Sequence, residues 1–212
     1  MLYKQKGNFQ KVVRWVAGSW MTANQATFFG LIAVCLVAAC FYAGLSVPGW
    51  RWALLLVPVF LLMRMVMNTL DGLLAREYRT ATVTGELWNE GLDIIGDTVA
   101  YGSLFFVPNA PGFSLTVFLI ATWAAEYFGV LGKSLPGGVR RHETLGGGKP
   151  DRAVWMGLFA LIAFFRPGFE PFLPQWLAGV SVLVVLTVAI RIRKIVVTAR
   201  GKKYRSFTWI GR

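Results

Sequence analysis

Six apolar stretches recur along the 212 residues, at roughly 27–47, 51–70, 86–107, 113–132, 153–166 and 172–190. A hydrocarbon core about 30 Å thick asks for about 20 apolar residues per helix, and most of the six approach that length. A soluble fold could not hide so much apolar surface. Hydrophobic residues make up 56% of the chain and charged ones 15%, and mean hydropathy is +0.55, which leaves too little polar surface to cover a soluble domain. The expectation is an all-α integral membrane protein, a six-transmembrane-helix bundle forming one domain. The third stretch carries Asp93 and Asp97, and the fifth is short before Arg166 and Pro167. These two are expected to tilt, kink or bury partly against their neighbours.

Basic residues orient the bundle. Lys4, Lys6, Lys11 and Arg14 precede the first stretch, and Arg76 and Arg79 follow the second. Lys133, Arg140, Arg141, Lys149 and Arg152 follow the fourth, and a dense run from Arg191 to Arg212 follows the sixth. The remaining connections hold only Arg51 and Arg166. Both termini are therefore expected to be cytoplasmic. The bias, with attraction to anionic lipid headgroups, accounts for much of the net charge of +12, so no nucleic-acid partner is called for.

Residues 1–20 lack a continuous apolar core and a small-residue cleavage site, so they are not expected to be a signal peptide. Phe9, Val12, Val13, Val16 and Trp20 fall on one side of a helix, opposite several Lys, as in an interfacial amphipathic helix. The expected organisation is an interfacial helix over 1–20, the membrane domain over 21–200 and a basic cytoplasmic tail over 201–212. Cys35 and Cys40 are expected to be packing residues rather than a disulfide or metal pair. Trp50, Trp52, Trp155, Trp176 and Trp209 lie near expected membrane boundaries, where indoles prefer the interface.

Charge inside the apolar segments is the exception that points to chemistry. Asn68 and Asp71 are one helical turn apart, and Arg64 lies one turn earlier on the same face. Gly85, Asn89, Asp93 and Asp97 follow at intervals of four, along one stripe of the third helix. Two helices thus present amide and carboxylate oxygens toward a common point at the cytoplasmic edge of the bilayer. Oxygen ligands without His or Cys suit Mg²⁺ or Mn²⁺ rather than zinc or copper. The alternative is structural: an intramembrane Asp paired with Arg64 or Arg76, and Asn holding helices together. An ionised group at mid-membrane depth costs roughly 2.5–3.5 kcal/mol, less near the interface, so several in one place argue for a site.

The stretch NTLDGLLAREYRTATVTGELWNEGLD, residues 68–93, resembles the signature of the CDP-alcohol phosphatidyltransferase (CDP-alcohol phosphotransferase) family. Asp71, Gly72, Ala75, Arg76, Gly85 and Asp93 match its residue types and spacing. GELWNEGLD is also similar to the corresponding segment of eukaryotic choline and ethanolamine phosphotransferases. TANQAT before the first apolar stretch is similar to the family's short lead-in, matched by Asn24 and Thr27. The family has six transmembrane helices, the number counted above.

This chain departs from the pattern where its first and third Asp stand, with Asn68 and Asn89 instead. In the family those carboxylates help hold two metal ions, and an amide oxygen binds a cation more weakly. Asp97, one turn further on, restores part of the lost charge. A second register also exists: LDIIGDTVAYG, residues 92–102, resembles the end of the signature in phosphatidylserine synthases, with Asp93 and Asp97 as the closing pair. The sequence leaves both registers open.

The resemblance implies a divalent ion, Mg²⁺ or Mn²⁺, offsetting the pyrophosphate of CDP-diacylglycerol and the charge of departing CMP. It implies Asp71, Asp93, Asn68, Asn89 and Asp97 as metal ligands, Asp71 foremost. Asp93 or Asp97 is the general base for the acceptor hydroxyl. Gly72, Ala75 and Arg76 would contact the cytidine nucleotide, with Gly85 and Asn24 counted to that set by their motif positions. Membrane lipids are partners by environment, and the family's frequent dimers imply a homodimer.

The loop VRRHETLGGGKPDRA, residues 139–153, gathers Arg140, Arg141, Lys149 and Arg152 around three glycines. Bidentate Arg with free backbone amides suits a phosphate, although topology alone also places positive loops in the cytoplasm. As a binding loop it favours an acceptor that bears its own phosphate, such as glycerol 3-phosphate or inositol phosphate. His142 is expected to be solvated, and Glu126 to pair with Arg64 or another base. The expectation is a bacterial-type inner-membrane transferase with a cytoplasm-facing site. A catalytically weakened member acting as partner of lipid enzymes, and an ion or proton transporter, are the alternatives.

Overall fold

The computed structural model describes residues 21–77, 82–135 and 146–200, without the side chains of 76, 77, 86, 199 and 200. The expected interfacial helix (1–20), the tail (201–212), Arg140, Arg141, His142 and Trp209 lie outside the described residues. Six long helices, α1 Ala23–Ser46, α2 Leu56–Glu77, α3 Val83–Gly102, α4 Gly112–Ser134, α5 Lys149–Phe165 and α6 Leu173–Arg200, coincide with the six apolar stretches. Short 3-10 turns at Arg51–Leu55, Ser103–Phe106 and Glu170–Phe172 lead into or out of them. No strand occurs among the described residues. Three segments, Ala23–Ser46, Arg51–Ala75 and Gly112–Ser134, are long and apolar enough to cross a membrane. Polar residues dilute α3, and α5 has only 17 residues.

The helix starts follow local chemistry. Thr22 and Gln25 form a capping box, the Gln25 Oε1 accepting from the Thr22 backbone N–H at 2.8 Å. Thr82 Oγ1 caps α3 by accepting from the Gly85 N–H at 3.0 Å. At α5, Asp151 Oδ2 accepts from the Gly148 N–H at 3.0 Å, and Pro150 sits in the first turn where its missing N–H costs nothing.

Packing is close inside and apolar outside. Phe41, Leu54, Tyr101, Leu104, Phe118, Met156, Phe159 and Leu177 are buried in one core, while Phe28, Leu62, Phe106, Phe113 and Val197 are well exposed. That outward apolar belt suits a hydrocarbon solvent. α1 packs most extensively on α2, and α4 on α6; α3 lies between α1 and α4, and α5 against α2. Small residues permit the close crossings: a Cβ on Gly157 of α5 would stand 3.3 Å from the Pro58 Cβ of α2. Cys40 is buried in the core and Cys35 is exposed, so only Cys40 is a packing residue within the bundle. Trp50 and Trp52 stack, half exposed, whereas the Trp155 and Trp176 indoles are partly buried and each donates to a backbone carbonyl.

The bundle's two ends differ. At one, Arg51 pairs with Glu170 at 2.6 Å and donates to the carbonyls of Ala163 and Phe164. At the other, the starts of α1, α3 and α5 meet the end of α2, and nearly all the remaining buried charge collects there.

Candidate active site

The end of α2 brings Asn68 and Asp71 to one face because they are three residues apart, and the start of α3 brings Asn89 and Asp93 by a spacing of four. With Thr27 and Gly30 of α1 these four line a single cleft, at whose inner side stands Arg64. Thr27 Oγ1 donates to Asp71 Oδ2 at 2.6 Å. Asn68 Nδ2 donates to Asp93 Oδ1 at 2.9 Å, tying α2 to α3. A Cβ on Gly30 would stand 3.2 Å from Asn68 Oδ1, so the glycine keeps that oxygen's side of the cleft open.

Asp97 is not among the residues lining the cleft. It is 1% exposed and held by two guanidiniums, Arg64 Nη1 at 2.5 Å and Arg152 Nη2 at 2.7 Å. Arg152 also donates to Glu126 Oε1 at 2.9 Å and to the Gly147 carbonyl at 3.1 Å. Charge balance dictates this arrangement: two arginines and two carboxylates removed from water are tolerable only when paired with one another, although Arg152 Nε finds no partner among the described residues. Arg64 reaches across because α3 has glycine at 96, where a Cβ would lie 2.7 Å from its Nη2. Its Nη2 also donates to the Asp93 carbonyl at 3.2 Å, so the ion cluster braces the backbone of the cleft.

The other expected site residues are dispersed. Gly72 and Ala75 lie half buried on the last turns of α2, and Arg76 follows with its side chain outside the description. Gly85 is exposed in the first turn of α3, and Asn24 is exposed in the first turn of α1. Of the basic set expected to bind an acceptor phosphate, Arg152 is fully buried in the ion cluster. Lys149, in the first turn of α5, donates to Asp93 Oδ1. Glu126 pairs with a base as expected, the base being Arg152. Two contributors, Gly30 and the Lys149 contact with Asp93, have no counterpart in the sequence reading. Gly30 falls one turn after Thr27, but a glycine in an apolar helix carries no signal of which wall it opens.

The profile of the CDP-alcohol phosphatidyltransferase family matches residues 20–188. The chain belongs to that family. It is thus an enzyme of the class that builds phospholipids by transferring a substituted phosphate group, and a membrane protein. The inner membrane protein YnbA of Escherichia coli (strain K12) is 32% identical over 181 residues, which covers 83% of this chain and 83% of that protein. The crystal structure of Mycobacterium tuberculosis phosphatidylinositol phosphate synthase (PgsA1) with CDP-DAG bound is similar in fold. It aligns with a TM-score of 0.65 at 18% identity, covering 88% of this chain and 92% of that one.

This transferase family is generally dependent on divalent metal, and the donor atoms of the cleft fit such an ion. Two carboxylates and two carboxamides offer hard oxygens. Among the described residues no group of three or more His, Cys, Asp or Glu could hold a metal ion, so amide oxygens would complete its shell.

Proposed function

We propose that this chain transfers the phosphatidyl group of CDP-diacylglycerol to a small polar alcohol that carries its own phosphate, such as glycerol 3-phosphate, at the cytoplasmic edge of the bilayer. The observation that carries this reading is the convergence of Asn68, Asp71, Asn89 and Asp93, the signature positions, on one cleft. The CDP-DAG found in the fold neighbour supports the choice of donor. The six helices are taken as membrane spans with both termini in the cytoplasm, in accord with the basic loops.

Asp71 with the Asn68 and Asn89 carboxamides would hold the ion. When bound, Mg²⁺ or Mn²⁺ supplies positive charge against the donor pyrophosphate and departing CMP. Asp93 Oδ2, which accepts no hydrogen bond among the described residues, takes the proton of the acceptor hydroxyl. The acceptor oxygen then bonds to the phosphatidyl phosphorus, the bond from that phosphorus to the bridging pyrophosphate oxygen breaks, and CMP leaves with that oxygen. Thr27 fixes Asp71 in rotation. Arg76, Gly72 and Ala75, with Gly85 and Asn24, would contact the nucleotide, as their motif positions imply. Arg140 and Arg141 would be left to hold the acceptor phosphate, since Lys149 and Arg152 bond to carboxylates. Asp97, held by two arginines, serves as a brace rather than as the base.

The test is CMP release by purified protein with CDP-diacylglycerol, Mn²⁺ or Mg²⁺, and an acceptor panel. Metal-dependent release with a phosphate-bearing acceptor supports the reading; release only with a neutral alcohol or serine rejects the acceptor class. One observation favours a second reading, a weakened member acting as partner of other lipid enzymes: Asp93 already has a cation on it. No CMP with any acceptor, while CDP-diacylglycerol still binds, is what that reading expects.

A further inference from the structure

We propose that Lys149 is a built-in cation of the carboxylate cradle, standing in place of a second divalent ion so that the site takes one metal ion per chain. This rests on the transferase reading above. Lys149 projects from a helix start that cannot shift freely. A Cβ on Gly147 would stand 2.5 Å from the Leu183 carbonyl oxygen of α6, and Asp151 closes the cap from within α5. From there Lys149 donates to Asp93 Oδ1, with both side chains only 18% exposed.

The oxygens left over are few. Asp93 Oδ1 accepts from Lys149 and from Asn68 Nδ2, and Asp71 Oδ2 accepts from Thr27. Among the described residues, one oxygen of each carboxylate accepts no hydrogen bond. Asp71 and Asp93 bring two negative charges to the cleft, and Lys149 offsets one. Asn68 and Asn89 add oxygens without charge. A first divalent ion already reverses the sign of such a cradle, and a second, beside an ammonium in a partly buried site, meets repulsion that water does not screen.

The test is Mn²⁺ binding to the full chain in detergent, by calorimetry and by the spin resonance of free Mn²⁺. Wild type and Lys149→Arg are expected to bind one ion per chain with similar Kd. Lys149→Met, relieved of the repulsion, is expected to bind Mn²⁺ about tenfold more tightly or better. Lys149→Gln, which removes the charge but keeps a hydrogen-bond donor, is expected to shift Kd the same way and serves if Lys149→Met fails to fold. Two ions on wild type, or an unchanged Kd in the folded variants, overturns the inference. CMP release assayed in parallel separates the failures. Metal-dependent release with two bound ions removes the inference and leaves the transferase; no Mn²⁺ bound and no CMP released removes both.

Discussion

Asp93 and Asp97 lie one turn apart on α3, yet their surroundings give them different work. Asp97 is closed between Arg64 and Arg152, whereas Asp93 borders the cleft. Removing one member of the buried cluster strands the rest. Arg152→Met is therefore expected to lower stability by about 3–5 kcal/mol, seen as a fallen unfolding midpoint in detergent. Arg152→Lys should recover only part, since an ammonium cannot reproduce the guanidinium's separate bonds to Asp97, Glu126 and Gly147. Asp71→Asn should cut CMP release at least about 100-fold with the protein still in the membrane; retained turnover would speak against the cation site. The sequence makes the positions of these charges legible, because spacings of three and four fix a shared helix face. It does not make their partners legible. Asp97 continues the stripe of Asp93 at the same interval, and only the approach of α2 and α5 decides which of them meets arginines.

The six helices were legible from apolar length, although α2 and α6 run on to Glu77 and Arg200, past the expected ends near 70 and 190, because their polar last turns carry no apolar signal. The 3-10 turns and the closeness of particular crossings were not, because they depend on what lies opposite. Gly147 is the clearest case. It stands among three adjacent glycines that suggest a pliable phosphate loop, but it is buried against the α6 backbone. Gly147→Ala is expected to push the start of α5 off α6 and to cost about 1–3 kcal/mol by overpacking. Displacing Lys149 and Arg152 together, it should also lower turnover. An unfolding midpoint and a rate both equal to wild type would show that the approach does not matter.

For the whole molecule, the alternation of basic loops leads to the expectation of one cytoplasmic end, and the proposed cleft draws on α1, α2 and α3 with Lys149 at the start of α5. Orientation can be read directly. In a variant with Cys35 and Cys40 replaced, Pro108→Cys should react with an impermeant maleimide in intact cells, and Ser134→Cys only after the membrane is opened. The reverse pattern would put the cleft on the wrong face for a cytoplasmic nucleotide. On the proposed reading, two carboxylates and two carboxamides in this cleft suffice for phosphatidyl transfer. The most direct measurement is CMP release from CDP-diacylglycerol by the purified chain, with and without Mn²⁺, across phosphate-bearing and neutral acceptors. Release that requires both the metal and a phosphate-bearing alcohol, and that Asp71→Asn abolishes, is the result predicted. Absence of CMP under every condition, from folded protein that binds CDP-diacylglycerol, would contradict it.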